Sequence, residues 1–178
     1  RTMAQNRRSS LELFIDERIA QLVTVANTHS MKQLINENYL HKVFDAMQSR
    51  SRTLIDLGVI DGEGNHLAYV GPHRDMLMSV NYGHEDWFQA VLSSGIYVSD
   101  IFLGFRKIPH FIIAVTARDG NKTWILRATL NSEIIDNVVR AGQIGRKGDA
   151  FLINRNNILQ TTPRFSGKLL GTPDAPDF

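Results

Sequence analysis

Apolar residues fall on two different periods along this chain, and the period changes once, near residue 54. From Ser10 onward Leu11, Phe14, Ile15, Ile19, Leu22, Val23 and Ala26 recur three and four apart, the spacing that puts side chains on one face of a helix. This predicts a long opening helix over residues 10–28, with Ser9 or Ser10 as its cap and Glu12 in its first turn. The same period returns in Leu34 and Ile35, then in Tyr39, Leu40, Val43, Phe44 and Met47. Asn36 or Asn38 divides these shorter helices, so residues 1–50 read as helical.

At Leu54 the period drops to about two. Ile55, Leu57 and Val59 point one way, the stretch Asp61-Gly62-Glu63-Gly64-Asn65 supplies a tight turn, and "HLAYV" returns; this is a β-hairpin. Residues 71–82, with Pro72 and several charges, read as a loop. Asp86 to Leu92 predicts a short helix ended by Ser93-Ser94-Gly95. "IYVSDIFLG", "HFIIAVTA" and "WILRATL" then predict three strands, the last two joined by Asp119-Gly120-Asn121. A helix restarts after Asn131, capped by Asn131 or Ser132, with Ile134, Ile135, Val138 and Val139 on one face, and ends near Gly142. The predicted class is α+β: a long helix, then five antiparallel strands with flanking short helices, of the PAS-like kind.

The first hairpin has an echo. "LINRNNILQT" resembles "VIDGEGNHLAY" when Asn154 is aligned with Asp61, an offset of 93 residues, which suggests a second unit of the same kind starting near residue 144. The chain opens on "RTMAQNRRSS" and stops at "GTPDAPDF", without an initiator Met or a closing element. It reads as a fragment.

Composition narrows the function classes. With 178 residues the chain is long enough for one domain with a real core and too short for two of full size. Twenty basic and 18 acidic residues are spread along it, with only short basic pairs; a nucleic-acid binder needs a concentrated basic face. Cysteine is absent, which excludes disulfides and thiolate chemistry and leaves the redox compartment open. No window approaches the ~20 consecutive apolar residues of a membrane span, and there is no signal-peptide pattern.

His84, Glu85 and Asp86 stand in a row, yet consecutive side chains diverge by about 100° on a helix or 180° on a strand and cannot all face one ion. Two histidines four apart with a glutamate between, as in zinc hydrolases, do not occur. The other five histidines lack metal-ligand spacing. Dinucleotide and phosphate-loop glycine patterns and a G-x-S-x-G elbow are missing too. Glu85 and Asp86 therefore read as the start of a helix, where carboxylates complement the dipole and accept backbone N–H bonds; no catalytic residue, metal or cofactor is expected.

In "DWFQAVLSSGIYVSDIFLG", "PHFIIAV" and "WILRATL" the chain resembles the extracytoplasmic double-Cache sensor domains of bacterial transmembrane receptors, most of all those of sensor histidine kinases. The "GVIDGEGN" hairpin and "GRKGDAFLINRNNILQTTP" extend the likeness over nearly the whole chain. The resemblance implies two stacked PAS-like modules on a long helix. It gives a helical stalk and short helices over residues 1–50, a membrane-distal module over 51–143 and the beginning of a membrane-proximal one over 144–178. It further implies a soluble periplasmic portion of a membrane-spanning receptor and a small metabolite bound in the distal module. The apolar positions of the opening helix suit a homodimer, or else packing against the sheet.

The amino-acid-binding branch of that family carries Arg two positions before the Trp, Tyr directly after it, and Asp on the strand leading into the last helix. Here Trp87 matches, but Glu85, Phe88 and Thr129 stand at the other positions, which argues against a standard amino-acid ligand. If Thr129 faces the pocket, alternation puts Arg127 and Ile125 on the same side. A buried arginine needs an anion: Asp100 as an internal partner, or a ligand carboxylate with Arg106 and His110 at the mouth. The candidate pocket is Trp87, Phe88, Tyr97, Asp100, Arg106, His110, Arg127 and Thr129. Competing readings are Arg106-Lys107 as a solvated pair, His110 as a strand-edge residue and Trp87 as core. For the chain as a whole they are a ligand-free structural or protein-interaction module of a receptor such as a diguanylate cyclase or chemoreceptor, and a soluble enzyme with convergent titratable groups.

Overall fold

The computed structural model describes residues 3–141, 148–165 and 167–173. Helix α1 (Met3–Thr28) leads into α2 (Met31–Leu34) and α3 (Glu37–Gln48). Strands β1 (Leu54–Asp61) and β2 (His66–Val70) follow, then α4 (Arg74–Leu77), α5 (Asp86–Ser94), β3 (Ile96–Val98), β4 (His110–Asp119), β5 (Lys122–Asn131) and α6 (Glu133–Arg140). The strands form one antiparallel sheet in the order β2-β1-β5-β4-β3, so β5 lies at its centre. This is the α+β, PAS-like arrangement that the change of period predicts.

Alternation along the strands divides the sheet into two faces. Leu57, Val59, Phe111, Ile113, Val115, Trp124, Leu126 and Ala128 pack with Leu22, Val25 and Ala26 of α1, Phe44 and Met47 of α3, and Ile135 and Val139 of α6. Ile60, Ile112, Ala114 and Ile125 point the other way and pack with Tyr82 and with Trp87, Phe88 and Val91 of α5. One face is closed by long helices. The other is covered only by α5, the short α4 and the loop between β3 and β4, and this lighter cover leaves room for a cavity.

Several boundaries differ from expectation for local reasons. Helix α1 begins well before Ser9 and Ser10, whose hydroxyls donate to the carbonyls of Gln5 and Asn6 inside the helix and so do not cap it. Asn36 does cap α3, accepting from the Tyr39 amide at 3.2 Å, and Ser30 forms a capping box with Gln33 at the start of α2. In β1 the pairing with β5 shifts between Leu54 and Asp56. This bulge turns Leu54, rather than Ile55, into the core beside Leu57 and Val59. The stretch read as a loop contains the single turn α4, which buries Leu77. Helix α5 ends at Gly95, whose φ of 79° needs a residue without a Cβ.

Asn131 Oδ1 accepts from the Glu133 amide at 3.0 Å and so serves the start of α6, whereas Ser132 makes no capping bond. Gly142 and residue 144 lie outside the described residues.

The echo at residue 154 is repeated in atomic detail. Asp61 Oδ1 accepts from the amides of Glu63 and Asn65, at 2.9 and 2.8 Å; Asn154 Oδ1 accepts from those of Asn156 and Ile158, at 3.0 and 2.9 Å. Gly64 and Asn157 take the matching left-handed position, with φ of 92° and 59°. Ile60 pairs with His66 as Ile153 pairs with Leu159. The same turn chemistry therefore occurs twice, 93 residues apart.

Candidate ligand cavity

A cavity of about 290 Å³ opens between the lighter face of the sheet, α5 and the β3–β4 loop, lined by residues that include Leu77, Tyr82, Glu85, Trp87, Phe102 and Phe105. Arg106, Lys107, His110, Ile112 and Arg127 complete its chemistry. The space arises from the register of the strands. Arg127, on the central strand, stands between Gly58 of β1 and Ala114 of β4, the two smallest side chains available, so its guanidinium can lie across the sheet. A Cβ at Gly58 would come within 2.9 Å of His66 Nε2 and 3.7 Å of Arg127 Nη2.

Arg127 is 3% exposed, and a buried charge on this scale requires partners. Its guanidinium carbon lies 4.9 Å from the centre of the Tyr82 ring and 5.9 Å from that of Trp87, within cation–π range. Asp56 Oδ1 is 3.6 Å from its Nη2. That separation is an ion pair but too long for a hydrogen bond. Arg127 Nε and Nη2 and the Tyr82 hydroxyl are all buried without a hydrogen-bond partner among the described residues. Burial opposes the arginine's charge, but Tyr82 and Asp56 outweigh it and hold the group protonated, above its ordinary value.

Asp56 is fully buried and ties the network together. Its Oδ2 accepts from Arg106 Nη2 and, at 3.0 Å, from the Tyr69 hydroxyl. Arg106 Nη2 also donates to Thr129 Oγ1 at 3.2 Å. Burial, reinforced by Asp56, pushes the Tyr69 hydroxyl well above its ordinary pKa. Close packing at Asp56 depends on Gly71, where a Cβ would meet Asp56 Cβ at 2.4 Å and Tyr69 Oη at 2.7 Å.

Two histidines have their pKa lowered by burial. His66 Nδ1 lies 2.7 Å from the Leu77 carbonyl, which can only accept, so Nδ1 carries the proton. Burial, with Arg127 next in weight, lowers its pKa to about 4. His110 Nδ1 likewise donates to the Ile108 carbonyl at 2.7 Å, and burial above all lowers its pKa.

Of the residues singled out in the sequence, Trp87, Arg106, His110 and Arg127 line the cavity together. Thr129 is buried behind it as a hydrogen-bond acceptor for Arg106, and Ile125 shares its face as alternation requires. Phe88 is core, its ring edge-on to that of Trp87, and is not among the residues lining the cavity. Tyr97 packs half-buried beside Ala114 at the sheet edge and does not line the cavity. Asp100 does not partner Arg127: it is exposed and accepts from Asn154 Nδ2 at 2.8 Å, because β3 ends at Val98 before the chain reaches it. The internal anion is Asp56, which, like Tyr69 and Tyr82, is not among the residues singled out in the sequence. Its signal was present, since a charge inside "LIDLGVID" that alternates with Leu57 and Val59 must face the opposite side of the sheet.

Glu85 is the N-cap of α5, so the His84-Glu85-Asp86 triplet does start a helix, but the Glu85 carboxylate makes no capping bond. Among the described residues no group of three metal-ligating side chains converges, and no helix is long and apolar enough to cross a membrane.

No family model matches the sequence, and no curated protein matches it. Solved structures do resemble the fold. The ligand-binding domain of the Campylobacter jejuni chemoreceptor Tlp3, in complex with 4-methylisoleucine, superposes with a TM-score of 0.68 at 16% identity, over 89% of this chain and 66% of that one. The ligand-binding domain of the Pseudomonas fluorescens chemoreceptor CtaA, in complex with L-isoleucine, gives 0.62 at 13% identity over 88% and 64%. The extracellular domain of the putative histidine kinase vpHK1S-Z8 gives 0.67 at 9% identity over 92% and 68%. The chain thus spans about two thirds of the length of these domains. Its helix-then-sheet architecture is the Cache-like fold of extracellular sensory domains from chemoreceptors and a histidine kinase.

Proposed function

We propose that this chain is the extracytoplasmic sensing portion of a transmembrane signal-transduction receptor and binds a small carboxylate metabolite in the cavity beside Trp87. The observation that carries the reading is Arg127. The residue lines the cavity, its guanidinium is buried and held on two aromatic faces, and Nε and Nη2 have no hydrogen-bond partner among the described residues. A carboxylate supplies what those donors lack, in the paired geometry that suits a guanidinium. The charge balance agrees: among the described residues the cavity lining holds Arg106, Lys107 and Arg127 against Glu85, with Asp56 paired to Arg106 and Arg127.

Residues 51–143 are the sensing module, and residues 144–178 begin a second one, a division supported by the repeated turn at Asn154. Binding would drive signalling only through different affinities for two arrangements of the sheet and α1. A histidine-kinase output belongs to the same proposal and rests on the resemblance to such receptors; a homodimer through α1 belongs to it too and rests on the apolar positions of that helix. The ligands in the Tlp3 and CtaA complexes, 4-methylisoleucine and L-isoleucine, support a ligand of this size.

Thermal-shift screening of carboxylates, amino acids and amines, followed by titration of the hits into Arg127→Lys, tests the reading. The substitution keeps the charge and removes the fork of donors. Carboxylate hits that bind about tenfold more weakly to it support the proposal; hits that bind it as well as the unaltered protein overturn the arginine assignment. The runner-up, a ligand-free structural or partner-binding module, would show no hit at all.

A further inference from the structure

Strand β3 does not run straight into the loop that walls the cavity. Val98 pairs with Ile113 and Phe102 with His110, so four residues on one side advance against three on the other. The extra residue makes a β-bulge at Asp100 and Ile101. It decides which way the following side chains point: Ile101 turns into the core that packs on α1 and α3, and Phe102 turns to the opposite face and lines the cavity. Beyond the bulge Phe102 and His110 exchange backbone bonds of 2.9 and 3.0 Å, and their ring centres lie 4.5 Å apart. The strap that they close, residues 102–110, also supplies Gly104, Phe105, Arg106 and Lys107 to the lining. A one-residue slip at the bulge would exchange the two faces and withdraw Phe102.

A bulge leaves ladder groups unpaired, and a buried amide needs an acceptor. Both bulged residues are held from one place, the tight turn of residues 152–160. Gln160 Oε1 accepts from the Ile101 amide at 2.7 Å, with both residues buried, and Asn154 Nδ2 donates to Asp100 Oδ2 at 2.8 Å. The turn is itself fixed by Asn154 Oδ1 and by the Gln160 amide, which donates to the Leu152 carbonyl at 2.7 Å. We infer that Gln160, with Asn154, is a positioning residue for the cavity: by holding the bulge in register, the turn keeps Phe102 and the strap closed over the ligand site. The grip on the strap is independent of what the cavity binds, whereas control of occupancy rests on the proposed carboxylate site. Such coupling is reciprocal, so a ligand that needs the closed strap strengthens the grip of the turn by the same factor. No residue of the turn lines the cavity, yet the turn responds to its occupant.

Gln160→Leu removes the acceptor and keeps the volume. His110, at the foot of the strap, and His66, on β2, give separate readouts, since burial lowers the pKa of both, that of His66 to about 4. In NMR titration of the variant, His110 is expected to rise toward the ordinary 6.5 as the strap loosens, while His66 stays near 4. Calorimetric titration with pentanoate should show an affinity about tenfold lower than for the unaltered protein. Asp100→Ala, at an exposed side chain, removes the Asn154 contact and should move His110 in the same direction by less. A His110 that does not move in Gln160→Leu or, should that variant not fold, in Asp100→Ala overturns the assignment. Both histidines rising together, as in a general loosening, overturns it as well. Pentanoate binding equally well to Gln160→Leu and to the unaltered protein overturns the control of occupancy. No pentanoate binding to the unaltered protein goes against the carboxylate reading alone, and the histidine titrations still decide the strap.

Discussion

Asp56 Oδ1 and Arg127 Nη2 lie 3.6 Å apart with both side chains almost wholly buried, close enough to neutralise one another and too far to share a proton. The carboxylate is satisfied chiefly through its other oxygen, by Arg106 and Tyr69. The guanidinium is stabilised as a charge while keeping donors free, the condition under which a buried cation can accept a ligand without being an unfavourable element of the fold.

Asp56→Ala removes the anion that two buried arginines share. Breaking such a network by deleting one partner typically costs about 3–5 kcal/mol, and urea unfolding should register a loss of that size. A change of less than about 1 kcal/mol would mean that the arginines are neutralised elsewhere.

His66 makes stability depend on pH. It is neutral in the folded chain, with a pKa lowered to about 4 from an ordinary 6.5. Between those values the unfolded chain binds the proton and the folded one does not, so stability falls as pH is lowered from 6.5 to 4. The full loss is about 3 kcal/mol. His66→Gln should flatten the profile in that window, and an equally steep profile in the variant would assign the effect to another group.

Gly58→Ala places a methyl group 2.9 Å from His66 Nε2. Because the histidine is fixed by its bond to the Leu77 carbonyl, the strain is not relieved by a simple rotation. A destabilisation of about 1–3 kcal/mol is expected by denaturant melting.

How far these relations were legible beforehand depends on the sequence distance over which each is made. Strand alternation is local, and it placed Arg127 on the same face as Ile125 and Thr129. Helix periodicity and the glycine at residue 95 likewise delivered α5. The face of Asp56 follows from its alternation with Leu57 and Val59, but its partners come from the pairing of β1 with β5 and from Arg106 in the β3–β4 loop, which no local pattern announces. Tyr69 and Tyr82 join the site only through tertiary packing. Asp100 misled because the strand leading to it ends at Val98, one turn of alternation too early.

The most direct test of the central claim is a crystal structure of the domain with a carboxylate that stabilises it. The account predicts the ligand in the cavity beside Trp87, its carboxylate oxygens about 3 Å from Arg127 Nε or Nη2. A ligand bound elsewhere, or one in the cavity with its carboxylate turned away from Arg127, would contradict it.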